Sequence, residues 1–180
     1  VGYKDGGKIV GVTTLSADTI IFKDNLHAYH LSGSYPNWKV SEIGRQIECK
    51  CYHACAALAS STVVLGRDMV QVINVTDEYG DMRATNISDK VYREVADIGA
   101  RVKLRYFPSL GQVWFIDGAQ TFLFLDVAAA AYFRRAYHAP LVDAVEADGR
   151  IYLLKPHGLY MVDAKTSKDE GKYLAWRFAL

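Results

Sequence analysis

Val113-Trp114-Phe115-Ile116, then Asp117-Gly118-Ala119-Gln120, then Thr121-Phe122-Leu123-Phe124: residues 113–124 spell an apolar strand, a turn and a second apolar strand. Asp-Gly between two runs of β-branched and aromatic residues is a strong short-range hairpin signal. The same grammar recurs three more times. Thr19-Ile20-Ile21-Phe22 is followed by Leu26-His27-Ala28-Tyr29, Thr62-Val63-Val64-Leu65 by Met69-Val70-Gln71-Val72, and Ile151-Tyr152-Leu153-Leu154 by Leu159-Tyr160-Met161-Val162. The intervening turns are Lys23-Asp24-Asn25, Gly66-Arg67-Asp68 and Lys155-Pro156-His157-Gly158, all built from residues that accept positive φ or bond their own backbone. The first strands begin at Thr19, Thr62, Val113 and Ile151. A repeat of roughly 40 to 50 residues with four strands per unit is the period of a β-propeller blade.

Working outward, each hairpin acquires a strand on either side. The preceding strands are expected at Ile9–Leu15, Tyr52–Leu58, Val102–Phe107 and Val142–Glu146. The following ones are expected at Trp38–Ile43, Met82–Ile87, Tyr132–Tyr137 and Tyr173–Phe178. The fold class expected is therefore all-β: a β-propeller-like repeat of four four-stranded antiparallel blades, a portion of a larger propeller protein. Residues 1–180 form a single propeller domain or fragment, with blades at about 8–43, 52–87, 102–138 and 142–180. The two central strands of each blade are the most continuously apolar and are expected to be buried on both faces. The last strand of each blade mixes aromatics with charge, the composition of a half-exposed edge. One segment breaks the strand rhythm. Val91, Val95 and Ile98 fall on one face of a 3.6-residue period, with Ser88 placed as an N-cap and Gly99 as a C-terminal stop, so one short inter-blade helix is expected at about 89–97.

Composition narrows the function classes. With 21 Lys+Arg against 20 Asp+Glu and 51% hydrophobic residues, the chain is a folded, nearly neutral one. A net charge of +1 creates no field that gathers nucleic acid over the whole surface. No apolar run reaches the roughly 20 residues of a membrane helix, and no membrane partner is expected. The chain starts Val1-Gly2-Tyr3 without Met, which reads as a piece of something longer. Three cysteines, all within residues 49–55, do not make a disulfide framework and suit synthesis in a reducing compartment.

Several constellations group side chains that can carry chemistry. Cys49, Cys51, His53 and Cys55 share one face if the segment is an extended strand, and they are the ligand types of structural zinc. On such a strand, however, i and i+4 lie about 13 Å apart, too far to surround one ion, so no metal and no cofactor are expected. The histidines, His27, His30, His53, His138 and His157, show no metal-binding or catalytic spacing. Asp77, Glu78, Asp143, Glu146, Asp148, Asp169 and Glu170 could pair for glycoside hydrolysis, but nearly all sit in expected turns, where solvated carboxylates are ordinary. No nucleophile elbow or phosphate-binding loop occurs. The expectation is of no catalytic residues and no enzyme. Basic and aromatic residues interleave at Lys103–Phe107 and at Tyr132–Tyr137. That pattern either tracks nucleic acid or stacks Arg on neighbouring rings in an edge strand. Tyr132, Arg134, Arg135 and Tyr137 are taken as the candidate interaction surface, and Trp114 with Phe122 or Phe124 as the core of the third module.

Three stretches carry a family resemblance: Val113–Gly118; Val142-Asp143-Ala144-Val145-Glu146-Ala147-Asp148-Gly149-Arg150-Ile151-Tyr152; and Gly158–Asp163 with Asp169-Glu170-Gly171 and Trp176-Arg177. Asn86-Ile87-Ser88-Asp89 also fits. Together, most clearly over residues 102–180, they resemble the tail hub or nozzle proteins of short-tailed bacteriophages, the packaged-DNA stabilisation proteins. The resemblance implies a structural component of a phage or prophage tail, made in the bacterial host cytoplasm and located in the virion tail. It implies a ring-forming homo-oligomer that extends the DNA channel below the portal, with other tail subunits and portal-type proteins as partners. It transfers no catalytic residues, and any DNA contact would be weak and non-specific. The chain is shorter than a complete member of that family. The alternatives are a β-propeller interaction scaffold of a cellular complex and a carbohydrate-active propeller enzyme.

Overall fold

A computed structural model describes residues 6–75, 82–119 and 121–162, together with the strand backbones at 168–169, 172–173 and 175–179. Two units divide the chain, residues 1–96 and 97–180.

In the first unit, β1 (Ile9–Leu15), β2 (Asp18–Lys23), β3 (His27–Ser32) and β4 (Lys39–Arg45) form one antiparallel sheet in sequential order. A second sheet repeats the design with β5 (Cys55–Ala57), β6 (Ser61–Leu65), β7 (Val70–Val75) and β8 (Met82–Asn86). Consecutive buried residues on the central strands, Ile20–Lys23 and Thr62–Leu65, give each sheet two covered faces. β1 lies beside β5 and β6, and β4 beside β8, so like strands of the two sheets meet. The Thr62 hydroxyl, fully buried, donates to the Thr14 carbonyl at 2.9 Å and ties the two sheets across that contact.

The expected helix is present in a tighter form. A 3-10 turn over Asp89–Val91 runs into α1 (Tyr92–Ala96), and Val91, Val95 and Ile98 are buried as their period requires. Its ends differ from expectation. The Ser88 hydroxyl does not cap the helix, because it accepts from the Val70 amide at 2.8 Å and donates to Asn86 Oδ1 at 3.1 Å. Gly99 is no left-handed stop. Its amide instead donates to Asp117 Oδ2 at 3.2 Å.

In the second unit, β9 (Lys103–Phe107), β10 (Gln112–Ile116), β11 (Thr121–Asp126) and β12 (Ala131–Ala136) form a sheet, and β13 (Asp143–Ala147), β14 (Arg150–Lys155) and β15 (Gly158–Met161) form another. The β13–β14 turn is Asp148-Gly149, both at positive φ, the geometry that Asp-Gly favours in two-residue hairpins. A core joins the two sheets: Phe107, Trp114, Phe122, Tyr137 and Leu141 from one side meet Ala144, Ile151 and Leu153 from the other. Trp114 is the centre of it, with ring centroids 4.4 Å from Phe107 and 5.2 Å from Phe122, and its indole N–H donates to Gln112 Oε1 at 3.1 Å.

The fourth module departs from the blade pattern. The remaining strands are a short hairpin, β16 (Lys168–Asp169) with β17 (Lys172–Tyr173), and β18 (Ala175–Ala179). β18 does not complete the β13–β15 sheet. It pairs antiparallel with β12, Tyr132 opposite Ala179 and Ala136 opposite Ala175, and makes the third module's sheet five-stranded. β12 is therefore an interior strand, not an edge, and the fourth module has three strands. The second strand of the first three modules is buried along its last four residues, whereas β14 alternates and leaves Leu154 exposed.

The described structure is thus all-β, antiparallel sheets in sequential hairpin order with one short helix. No helix among the described residues is long and apolar enough to cross a membrane.

Candidate interaction surface

The four residues expected to form an exposed surface on β12 and just after it separate into two classes. Tyr132 and Tyr137 are buried, which corrects their assignment as surface residues. Tyr137 stacks on Phe122 with centroids 5.5 Å apart inside the core. The Tyr132 hydroxyl is enclosed with no hydrogen-bond partner among the described residues, and burial pushes its pKa well above the ordinary phenol value. Arg134 and Arg135 are half-buried. The Arg135 guanidinium lies 5.6 Å from the Trp114 ring centroid and 5.7 Å from that of Tyr137, and it donates to the Tyr137 hydroxyl at 3.2 Å. Of the two explanations for interleaved Arg and aromatics, this is the stacking one. The physical reason is the core on that side of the sheet: Trp114, Phe122 and Tyr137 pack together there and offer ring faces to Arg135.

Lys103 and Arg105, the other interleaved pair, converge on Asp143. Lys103 Nζ donates to Asp143 Oδ2 at 2.9 Å, and Arg105 donates to both carboxylate oxygens, at 3.0 and 3.2 Å. The bidentate fork pins β9 to β13. Burial works against ionisation of Asp143, but the hydrogen bonds from Arg105, Lys103 and the Ala144 amide outweigh it and hold the carboxyl below its ordinary value. Of the other carboxylates considered for hydrolysis, Glu146 accepts from the Ser109 amide at 3.3 Å and Asp148 is an exposed turn residue. Asp77, Glu78 and Glu170 lie outside the described residues, and Asp169 is described only in its backbone.

The histidines are spread out. His27 Nδ1 meets Glu42 Oε1 at 2.9 Å and His30 Nε2 meets Asp18 Oδ2 at 2.7 Å, both within the β1–β4 sheet. His53, His138 and His157 are exposed. The cysteine segment is not the extended strand that the alternation suggested. The Ala54 amide donates to the Cys51 carbonyl at 2.9 Å, closing a turn, and β5 begins only at Cys55. The distance argument against convergence therefore does not apply to Cys49 and Cys55, whose thiols face the adjacent β1 residues Gly11 and Val12. Among the described residues no three His, Cys, Asp or Glu side chains are grouped as metal ligands.

The surface that sequence reasoning missed is the outer face of β13–β15. Register places Asp143, Leu154 and Leu159 in one row and Val145, Tyr152 and Met161 in the next. Directly opposed residues share a face, so these six side chains form one surface. The other face carries Ala144, Leu153 and Ile151 into the core, with Tyr160 and Val162 packed against it. On the outer face Val145 is 56%, Leu159 66% and Met161 54% exposed. A shallow concavity of about 440 Å³ lies there, lined by Arg105, Asp143, Val145, Tyr152, Leu154 and Leu159 among others. Scattered exposed apolar residues are ordinary on a monomer, but a contiguous apolar patch with a charged rim is the usual mark of a contact site. The sequence carried no signal for it: Leu153-Leu154 and Leu159–Val162 are as apolar as the central strands of the other modules, and Tyr173–Phe178 reads as the fourth strand to go with them.

No family model matches the chain, and no curated protein matches it. Among solved structures it is similar to a 2S albumin seed protein from Dolichos, at 9% identity over 85% of each chain with a TM-score of 0.40. A likeness at that level carries no argument for fold or function.

Proposed function

We propose that this chain is a non-catalytic structural part of a phage or prophage tail, an assembly module whose sheets stack as propeller-like blades and dock onto neighbouring subunits through the outer face of β13–β15. The observation that carries the assembly role is that face: Val145, Leu154, Leu159 and Met161 expose an apolar surface of the kind that β2, β6 and β10 keep buried. The meeting of like strands, β1 with β5 and β4 with β8, and β9 with β13, supports blade-like stacking within each unit. The tail assignment rests on the similarity of residues 102–180 to the tail hub and nozzle proteins. In that role, subunits form a ring with portal-type and other tail proteins, and the rigid sheets seal a conduit for DNA. A catalytic role is disfavoured by the engagement of Asp143 with Lys103 and Arg105, which leaves it neither proton-donating nor free to attack.

The test is deletion of the gene from its own phage or prophage, followed by electron microscopy of the particles. Filled or leaking capsids without complete tails are expected, restored by the intact gene. Normal tails and full infectivity after deletion would end the tail assignment. Glycosidase activity of the purified protein, lost in Asp143→Asn, would end the non-catalytic one.

A further inference from the structure

Two of the three thiols occupy one small site in the first unit. Cys49 is buried and Cys55 half-buried, and all three cysteines are reduced. The two side chains lie beside adjacent residues of β1, Cys49 at Gly11 and Cys55 at Val12. A Cβ built on Gly11 would sit 2.7 Å from Cys49 Sγ, so only glycine leaves room for the sulfur there. The Cys55 thiol points at the Val12 carbonyl, 3.7 Å away. β1 shifts register between Ile9 and Gly11, which opens the strand at this spot. From below, the turn closed by the Ala54 amide on the Cys51 carbonyl folds Cys55 back toward Cys49. The Cys49 thiol donates to that same Cys51 carbonyl at 3.1 Å. Three independent contacts thus bring the two thiols to adjacent residues of β1 on either side of one turn.

We propose that Cys49 and Cys55 are a redox-modification site that closes to an intrachain disulfide under a hydroperoxide oxidant. The two sulfurs have unlike roles. The neighbouring Cys49 holds Cys55 below the ordinary thiol range, while the neighbouring Cys55 and burial push Cys49 far up. Cys55 is also the more exposed of the two. As thiolate, its sulfur attacks one peroxide oxygen: an S–O bond forms, the O–O bond breaks, and the departing hydroxide takes a proton to become water. Cys49 sulfur then attacks the Cys55 sulfenic sulfur. The S–S bond forms, the S–O bond breaks, and the Cys49 proton leaves with the hydroxide as a second water. Two thiols supply two electrons, and one hydrogen peroxide becomes two waters. Oxidation removes both S–H donors, so the Cys51 and Val12 carbonyls lose these contacts and the turn before β5 is locked. The closed loop is short, so the gain in stability from chain entropy is small. The observable is chemical state, not melting temperature.

The experiment is treatment of the whole reduced protein with equimolar hydrogen peroxide, alkylation, and non-reducing tryptic mapping. Cleavage after Arg45, Lys50 and Arg67 puts Cys49 on a different peptide from Cys51 and Cys55. Two of the three thiols should disappear, and peptides 46–50 and 51–67 should appear joined. Cys51→Ser should leave that link intact, and Cys55→Ser should abolish it. Before oxidation, iodoacetamide should label Cys55 faster than Cys49. The proposal is overturned by a link that persists in Cys55→Ser and vanishes in Cys51→Ser, by intermolecular dimers as the main product, or by retention of all three thiols.

Discussion

Trp114 has no exposed surface, touches Phe107 and Phe122, and carries Arg135 over its face. Truncation to Ala removes a large packed volume, and the strands around it cannot collapse to fill the hole. Trp114→Ala should cost about 3–5 kcal/mol, read from chemical denaturation; an unchanged midpoint would contradict the packing described. Tyr132 behaves in the opposite way. Its enclosed hydroxyl pays desolvation with no partner among the described residues, so Tyr132→Phe should be neutral or stabilising, by up to about 1 kcal/mol. Because its phenol pKa is raised in the folded protein, wild-type stability from this group is intact below the ordinary value of about 10 and falls as pH rises above it. Tyr132→Phe should lack that part of the alkaline loss, and identical alkaline profiles would refute it. Asp143 has the reverse sign. Its pKa is lowered, so its contribution is present above the ordinary value of about 3.9 and lost as pH falls through the lower folded value. Asp143→Asn should be less stable than wild type at neutral pH, by about 1 kcal/mol or less for so solvent-screened a network, and the gap should close in acid. A gap that widens in acid would contradict the ion-pair reading. At this scale the sequence was legible where chemistry and burial agree, as at Trp114. It misled at Tyr132 and Tyr137, because aromatics interleaved with Arg read as a half-exposed edge strand, while the neighbours that enclose these rings come from other strands.

The hairpins were the most legible elements. Their turns are decided by three or four consecutive residues, and Asp148-Gly149 takes the backbone geometry its chemistry prefers. Two elements were not readable in this local way. β5 is short because the Cys51–Ala54 turn competes with extension, and alternation of Cys and His with small residues looks the same in a strand and in a turn. β18 has the composition of a fourth strand, but composition does not name a pairing partner, and it joined β12 instead of β15. That choice has a measurable consequence. In the intact chain, β12 is hydrogen-bonded on both sides, to β11 and to β18. Truncation after residue 167 should speed hydrogen exchange at those β12 amides that face away from β11, while β10 and β11 stay protected. If instead exchange rises at β15 and β12 is unaffected, β18 belongs to the fourth module after all.

At the scale of the whole molecule, repetition was legible because the first three modules repeat the same order of four strands and the fourth repeats its first three, whereas docking was not, because exposure of a face depends on what the chain fails to place over it. The outer face of β13–β15 separates assembly from stability in a way β12 does not. Reversing charge at Arg135 would set a carboxylate against the Trp114 face and break the Tyr137 contact, so any loss of assembly there would be confounded with loss of fold. Leu154 and Leu159 are exposed neighbours in register, and neither belongs to the buried core. A double change, Leu154→Lys with Leu159→Glu, keeps net charge constant and places a cross-strand ion pair where the apolar row stood. Exposed positions usually shift stability by about 0.5 kcal/mol or less each, and a lysine opposite Asp143 meets a carboxylate already paired with Lys103 and Arg105, so the denaturation midpoint should hardly move. If the face docks on a neighbouring sheet, burying that pair in the contact demands desolvation of both charges. The variant gene should then fail to restore complete tails to particles lacking the wild-type copy, even though the purified protein is folded. Arg134→Glu, made in parallel, tests the half-buried β12 strand. Full tail restoration by the Leu154/Leu159 variant, with failure of Arg134→Glu at unchanged stability, would move the docking surface from β13–β15 back to β12.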